Sequence, residues 1–260
     1  MTYKKSFKDQ ALWSLLSLLL CIFASACSQS DHNSNLSRPQ TEIEVNRKFY
    51  ILNFNTQTKQ PNWIIQKAGE ENFKLKEMEN PATYYPDLEI PIGVQSNVSD
   101  YQSSKYVMAS LLFPISKIYA TPAEMRHQYF FSVTTPQHAE FYHGYWQKLR
   151  QEVKKVKAKW DHDALVLSGP LFLPDGKETT YQVIGDNQIP VPTHFFQVIF
   201  PSMDEEKAKA YIVPNGNINL DIPLSSFEVS LIEFERRSGV LLPETIAKYF
   251  PPVSSGGIGP

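Results

Sequence analysis

Apolar and polar residues alternate in short segments from Phe49 onwards, and this pattern predicts β-strands. The first segment, Phe49 to Asn55, reads FYILNFN and is rich in aromatic and β-branched residues. A polar turn containing Pro61 and Asn62 separates it from a second apolar segment, as expected for paired strands. The predicted strands are residues 49–55, 63–67, 130–134, 164–168, 181–184, 194–200 and 208–213.

One long helix interrupts these strands. Between His138 and Trp160, apolar residues recur at steps of 4, 3, 4, 3 and 4, which is typical of a helix with one buried face. The residues of this face are Tyr142, Trp146, Leu149, Val153, Val156 and Trp160. Two shorter helices are predicted at residues 226–237 and 243–249.

These elements predict one mixed α+β domain at residues 48–252. Residues 74–106 contain four proline or glycine breaks without a clear element, and this favours extended or functional loops. A Gly/Ser/Pro-rich tail follows at residues 253–260. No internal repeat or linker divides the domain.

The N-terminus has the pattern of a secretory signal. Three lysines precede an apolar run from Ala11 to Ala24, which is short for a membrane span of roughly 20 residues. The small residues Ala24, Ser25 and Ala26 then lead into Cys27, so the segment resembles a bacterial lipobox. We therefore expect a signal peptide at residues 1–26, a lipid on Cys27 and a polar tether at residues 27–47; a permanent transmembrane anchor is the alternative.

Composition adds two constraints. The 25 basic and 27 acidic residues give a formal net charge of −2, which excludes a polycationic nucleic-acid-coating protein but not a local basic patch. Removal of residues 1–26 would bring the charge to −4. The only cysteines are Cys21 and Cys27, so a disulfide framework or a cysteine zinc site is excluded.

Six segments of the predicted domain carry a resemblance to a known family. They are SGPLFLP (168–174), YQVIG (181–185), VPTHFF (191–196) and AYIVPN (210–215), with PQ (136–137) and GYWQKL (144–149) upstream. Taken in their order along the chain, these segments resemble the DNA/RNA non-specific endonucleases, the ββα-metal nucleases that include mitochondrial endonuclease G. The resemblance covers roughly residues 46–245. It implies an α+β, ββα-metal (His-Me finger) fold with a central antiparallel sheet and flanking helices, and DNA/RNA hydrolysis with Mg²⁺ or a similar divalent cation.

The resemblance fails where that family places its catalytic residues. Its signature is Tyr-Asp-Arg-Gly-His-Leu, whereas residues 106–111 read YVMASL. Ser110 therefore stands at the position of the general-base histidine. The metal-ligating Asn of the family corresponds to Tyr142, and an acidic residue corresponds to Arg150. The remaining substitutions in the signature are Val107, Met108 and Ala109 for Asp, Arg and Gly.

These substitutions remove the groups that the chemistry needs. Phosphodiester hydrolysis in this fold requires an imidazole that is neutral near pH 7 and a hard cation held by oxygen ligands. Ser110 has no pKa near 7, Tyr142 offers a neutral phenol, and Arg150 opposes cation binding. The sequence therefore predicts that no metal cofactor is bound and that no catalytic residue is intact.

Three histidines leave an alternative open. His127, His138 and His143 lie close in sequence to the altered site and could supply a relocated base. The alternative interpretation is that they are ordinary loop and helix-end residues.

The long helix also carries basic residues. Lys148, Arg150, Lys154 and Lys157 could form a phosphate-facing patch, because in the resembled family this helix borders the nucleic-acid groove. They could equally form an ordinary solvated helix face.

Three functional hypotheses follow. The first is a pseudonuclease lipoprotein at a bacterial envelope that binds nucleic acid or a protein partner. The second is an active metal-dependent endonuclease that uses His127, His138 or His143. The third is a protein-interaction lipoprotein without nucleic-acid contact.

The Cys27 prediction is open to a direct test. We expect mass spectrometry of the mature N-terminus to show an acylated Cys27, and the protein to partition into the detergent phase. In a Cys27→Ala variant both properties should be lost. An unchanged N-terminal mass and unchanged sorting in that variant would contradict the prediction.

Overall fold

A seven-stranded antiparallel sheet lies at the centre of the described chain. The computed structural model describes residues 41–68, 83–113, 121–160, 164–175, 178–201 and 207–242. The sheet has the order β1-β2-β3-β6-β9-β10-β11, with two two-stranded ribbons, β4-β5 and β7-β8, beside it. The strands are β1 (Glu42–Arg47), β2 (Tyr50–Asn55), β3 (Gln60–Ala68), β4 (Tyr106–Ser110), β5 (Thr134–His138), β6 (Ala164–Leu171), β7 (Val183–Ile184), β8 (Ile189–Pro190), β9 (His194–Phe200), β10 (Lys209–Pro214) and β11 (Glu228–Val229).

Helices cover both faces of this sheet. They are α1 (Pro122–Arg126), α2 (Ala139–His143), α3 (Tyr145–Trp160) and α4 (Leu231–Ser238), with 3₁₀ turns at Ile92–Val94, Val98–Tyr101, His127–Tyr129, Phe131–Val133 and Leu224–Phe227. On one face Phe195 of β9 packs against Trp146 of α3, with ring centroids 6.2 Å apart. On the other face Phe196 packs against Phe234 of α4 at 5.0 Å. The predicted α+β architecture with an antiparallel sheet and flanking helices is confirmed.

The sheet contains a first strand, β1, that was not predicted. Residues 42–47 pair with β2 from Glu42↔Asn55 to Arg47↔Tyr50, so the predicted tether is wrong over these residues. Edge position explains the missed strand: only Val45 of β1 is fully buried, and polar side chains occupy the outer face. A polar edge strand therefore has the composition of a linker.

The segment around the predicted strand 130–134 is also different. Residues 131–133 form a 3₁₀ turn with every side chain buried, and the strand β5 begins at Thr134. β5 reads TTPQH and pairs with β4 from Tyr106↔His138 to Ser110↔Thr134. Phe131 and Val133 alternate with Ser132 as in a strand, although all three are buried in a turn, while the real strand lacks an apolar pattern.

The predicted helix 138–160 is broken in two. Gly144 ends α2 with φ −100° and ψ −94°, and α3 starts at the next residue. A Cβ at this position would lie 2.6 Å from Leu220 Cδ2 and 2.7 Å from Glu140 O. The close approach of the loop at Leu220 therefore requires glycine, and the apolar periodicity continues across the break.

The C-terminal helix is shorter than predicted at its start. Residues 224–227 form a 3₁₀ turn and Glu228–Val229 pair with β10, so α4 begins only at Leu231. The Ser230 side chain accepts from Glu233 N, which is an N-cap, and Gly239 ends the helix at φ 71°. The predicted helix 243–249 lies outside the described residues.

A buried carboxylate fixes the chain that leads into β4. Asp100 is 1% exposed and accepts hydrogen bonds from Asn187 N at 3.1 Å, Asn187 Nδ2 at 3.0 Å and Asn97 N at 2.8 Å. Gly185, with φ 66°, lies so close that a Cβ would be 2.3 Å from Asp100 Cα. The β7-β8 turn and the 3₁₀ turn before β4 are thereby held together.

This contact predicts a large effect at Gly185. We expect Gly185→Ala to lower the free energy of unfolding by about 2 kcal/mol or more, because a left-handed φ and a clash with backbone act together. Urea unfolding measures the change. Gly216→Ala is the matched control, since a Cβ there would meet nothing within 4 Å. Equal stability of the two variants would contradict the proposed packing.

Candidate active site

The two-stranded β4-β5 ribbon and the helices α2 and α3 form a ββα unit that carries the predicted site residues. Ser110 is the last residue of β4, opposite Thr134. Its hydroxyl accepts a hydrogen bond from Leu112 N at 3.2 Å, and the side chain is half-buried. The hydroxyl thus stabilises the turn that leaves the strand.

A glutamine from the central sheet holds the residues after Ser110. Gln66 of β3 accepts from Phe113 N at 2.7 Å and donates to Phe113 O at 3.3 Å. Leu111, Leu112 and Phe113 are each only 2% exposed. The turn after Ser110 is therefore anchored by polar contacts and by apolar packing.

Arg150 reaches the same turn from α3. Its Nη2 donates to Leu112 O at 3.4 Å, and its guanidinium carbon lies 5.7 Å from the centroid of the Phe113 ring. Leu112 therefore contacts Ser110 through its N–H and Arg150 through its carbonyl. The structure brings these two predicted site residues together around one backbone unit.

Tyr142 lies in α2, and its side chain packs against the protein core. It is half-buried against the apolar cluster that includes Trp146, and its ring edge meets the His143 ring at 5.0 Å. Tyr84 lies near it: burial, with a smaller contribution from Tyr142, raises the pKa of Tyr84 above its ordinary value. The Tyr84 hydroxyl donates to Met108 O at 3.1 Å. Aromatic side chains thus line β4 on this side.

The three histidines occupy different settings. His127 stacks on Phe130 at 5.2 Å, and burial, followed by the positive charge of Arg47, lowers its pKa. His143 is exposed at the end of α2. His138, only 14% exposed, has Nδ1 2.6 Å from Glu140 Oε2. Among the three, only His138 is paired with a carboxylate in the described contacts.

The basic residues of α3 divide into two groups. Lys148 Nζ bonds to the carbonyl of Leu220 and lies 4.6 Å from the centroid of the Tyr145 ring. Arg150 is directed at the Leu112 carbonyl as described. Lys154 is exposed, and the side chain of Lys157 lies outside the described set. Two of the four predicted phosphate-binding residues therefore contact the protein's own backbone.

The comparisons with known proteins identify the family. The sequence model of the DNA/RNA non-specific endonucleases matches residues 29–248. The chain belongs to this family. A solved structure of EndoG, in an EndoG/EndoGI complex described as a mechanism of EndoG inhibition, superposes with a TM-score of 0.66 at 26% identity. The match covers 76% of this chain and 84% of that one. The resemblance and the ββα-metal nuclease fold predicted from the sequence are confirmed.

Similar curated proteins are eukaryotic nucleases. Mitochondrial nuclease EXOG of Danio rerio is 28% identical over 212 residues, 77% of this chain and 61% of that protein. Nuclease C1 of Cunninghamella echinulata var. echinulata is 30% identical over 206 residues, 75% of this chain and 81% of that nuclease. Mitochondrial endonuclease G of Homo sapiens is 27% identical over 210 residues, 78% and 70% of the two chains. The match therefore spans less than two thirds of the EXOG nuclease.

The donors present here do not fit the divalent cation of the family. Hard cations select carboxylate, carbonyl and water oxygens, whereas the positions that the resemblance assigns to the metal site hold the packed phenol of Tyr142 and the guanidinium of Arg150. Within the described ranges no three His, Cys, Asp or Glu side chains are grouped as metal ligands. Both amide atoms of Gln137 are buried without a hydrogen bond to a described group, but one amide oxygen is a poor site for Mg²⁺.

Sequence reasoning missed the residues that hold this unit in place. Asn215, between β10 and the following loop, accepts from His138 N at 2.8 Å and donates to Pro136 O at 3.1 Å and Pro192 O at 2.9 Å. Gln66 and Tyr84 were missed in the same way. Asn215 ends the AYIVPN segment, so the resemblance marked it, but a single sequence does not reveal which distant carbonyls it bonds.

The contacts of Asn215 predict a stabilising role. We expect Asn215→Ala to reduce the free energy of unfolding by roughly 2–3 kcal/mol, because three partly buried backbone groups lose their partner. Urea denaturation followed by circular dichroism measures this. Asn217→Ala, at an exposed position two residues away, should change stability by less than about 0.5 kcal/mol. A similar loss in both variants would refute the assignment.

Proposed function

We propose that this chain is a catalytically inactive member of the DNA/RNA non-specific endonuclease family. The observation that carries the proposal is Arg150: its guanidinium contacts the Leu112 carbonyl, beside Ser110. In the family resemblance an acidic residue corresponds to Arg150 and the general-base histidine to Ser110. A fixed positive charge thus lies where the chemistry calls for a cation-supporting carboxylate.

The loss of catalytic rate expected from these substitutions is large. General-base assistance contributes about 100- to 10,000-fold to a rate, and Ser110 is a poor base because its hydroxyl titrates far above neutral pH. A divalent cation would neutralise charge on the scissile phosphate, but Tyr142 and Arg150 are unsuitable to hold it. Groups that act as a unit fail together, so activity near background is expected.

We propose further that the protein is an envelope lipoprotein. The lipobox-like sequence before Cys27 and the polar residues that follow support a lipid anchor. Among the described helices, none is long and apolar enough to cross a membrane. A nuclease-like scaffold at this location would serve to bind nucleic acid or a protein. The EndoG structure, solved with its inhibitor EndoGI, makes a protein partner a reasonable candidate.

The proposal that no divalent metal is bound predicts that added metal will not change the thermal stability of the protein. Adding Mg²⁺ or Mn²⁺ up to about 5 mM should leave the melting temperature of the purified protein unchanged, because only a ligand bound by the folded state stabilises it. An active member of the family measured alongside is the positive control. A saturable rise in melting temperature at sub-millimolar metal would contradict the proposal.

The nuclease proposal predicts that supercoiled plasmid survives incubation with the protein and Mg²⁺ or Mn²⁺ at neutral pH. The single change Ser110→His should not restore cutting, since the cation ligand and the phosphate clamp stay absent. A variant that combines Ser110→His, Met108→Arg, Tyr142→Asn and Arg150→Glu tests whether the scaffold can still carry the site. On a native gel, a mobility shift of uncut plasmid would support retained nucleic-acid binding.

A second candidate function rests on the His138–Glu140 pair. Nδ1 lies 2.6 Å from Oε2 without hydrogen-bond geometry, so Glu140 places a negative charge beside the imidazole and Nε2 is the atom that would act as the base. The active-enzyme hypothesis therefore requires EDTA-sensitive cutting by the wild type. His138→Ala should abolish that cutting, whereas His127→Ala and His143→Ala should preserve it. Such a result would overturn the pseudonuclease proposal.

A further inference from the structure

Two adjacent turns of the described chain present apolar side chains to solvent. Leu88 is 86% exposed, the largest fraction among the exposed large hydrophobic side chains of the described residues, and Ile92 is 69% exposed. Pro91 and Gly93 beside them are also exposed. A single exposed leucine needs no explanation, but apolar groups gathered at one loop tip mark an interaction site. We call residues 88–93 the apolar tip.

Buried polar contacts hold the apolar tip in this position. Asp87, 1% exposed, forms an ion pair with Arg47 at 2.6 Å and accepts from Ser132 Oγ and from Glu89 N. The Gln95 side chain accepts from Asp87 N and donates to the carbonyls of Asp87 and Ile90.

Ile90 is only 1% exposed, so it anchors the loop from below. Asp87 and Ile90 flank Leu88, and Ile90 and Gln95 flank Ile92. Turning either exposed side chain inward would therefore break the buried network. Their exposure is therefore a property of the folded loop.

Amphipathic and basic side chains lie near the base of the apolar tip in the chain or are linked to it through Arg47. Tyr85 is 38% exposed, and the guanidinium carbon of Arg126 lies 5.9 Å from the centroid of its ring. Lys48 is 57% exposed, next to Arg47, and pairs with Glu124. The one carboxylate on the tip, Glu89, is paired with Arg47 at 2.9 Å. Tyrosine, arginine and lysine around an apolar centre are the residues that favour a membrane–water interface.

We propose that the apolar tip inserts into the surface of the lipid bilayer to which the chain is anchored. This inference rests on the proposed lipid at Cys27. Glu42 at the start of β1 lies 15 positions after Cys27, and a chain of that length extends to about 50 Å. β1 then runs to Arg47, which binds Asp87 at the base of the tip. The anchor and the apolar tip are therefore two attachments of one domain, and a second attachment orients the domain on the membrane.

The test uses the acylated full-length protein with single cysteine substitutions. Leu88→Cys and Ile92→Cys are each labelled with an environment-sensitive thiol fluorophore. The proteins are reconstituted in vesicles of phosphatidylethanolamine and phosphatidylglycerol. Ile232→Cys is the matched control, because Ile232 is 80% exposed on α4. Acylation of Cys27 and removal of Cys21 with the signal leave the added cysteine as the only thiol.

We expect a blue-shifted emission and an approximately threefold lower iodide quenching constant at positions 88 and 92, as for a shallow interfacial site. Position 232 should behave as in water. The same labels on a Cys21→Ser, Cys27→Ser background, without vesicles, give the reference values, and melting temperatures check that each variant is folded.

The outcomes separate this inference from the proposed anchor. If the protein floats with the vesicles but positions 88 and 92 remain fully quenched, the anchor stands and the tip proposal is refuted. If the protein does not float, both fail. Equal shielding at 88, 92 and 232 also refutes a specific membrane face. Shielding that requires an added envelope protein would assign the tip to a protein partner and overturn the bilayer proposal.

Discussion

Two central strands that are buried on both faces impose the architecture of this domain. Every residue of β6 and all but the first residue of β9 are buried. Such a sheet is stable only when apolar groups cover both sides. On one side α3, which belongs to the ββα unit, provides the cover through Trp146, Leu149 and Val153. On the other side α4 provides it through Phe234. The positions of the helices, and hence of the candidate site, follow from this requirement.

The same packing would let a nuclease scaffold persist without nuclease chemistry, as the pseudonuclease proposal requires. The residues that bury α3 are distinct from those that would carry out hydrolysis, so Ser110, Tyr142 and Arg150 occupy their positions without disturbing the core. Each has local contacts instead: a backbone N–H for Ser110, an apolar cluster for Tyr142 and a carbonyl for Arg150. A fold specifies where a site lies, and the side chains at that site specify what it does.

Buried polar networks hold the loops that the sheet does not. Asp87 joins β1, the 3₁₀ turn before β5 and the apolar tip, while Asp100 joins two distant turns. Burying a carboxylate is unfavourable unless it is paired and hydrogen-bonded, and both have several donors. These contacts fix irregular backbone over residues 83–105, and they explain how a segment without regular elements presents a defined surface.

The α+β class, the family and the strands with strong alternation were predictable from residue patterns, because these depend on local periodicity and on ordered motifs. His194–Phe200 matched its prediction at both ends. The prediction that Ser110, Tyr142 and Arg150 replace catalytic residues also came from sequence, since comparison with a motif needs no coordinates. Three features depend on tertiary contacts, which the local pattern of apolar and polar residues does not encode. β1 is polar because it lies at an edge, α2 and α3 are separated because Leu220 approaches Gly144, and Arg150 points at Leu112 because the turn after Ser110 packs against α3. In the last two cases the partner lies far away in the chain, and long-range contacts override local preference.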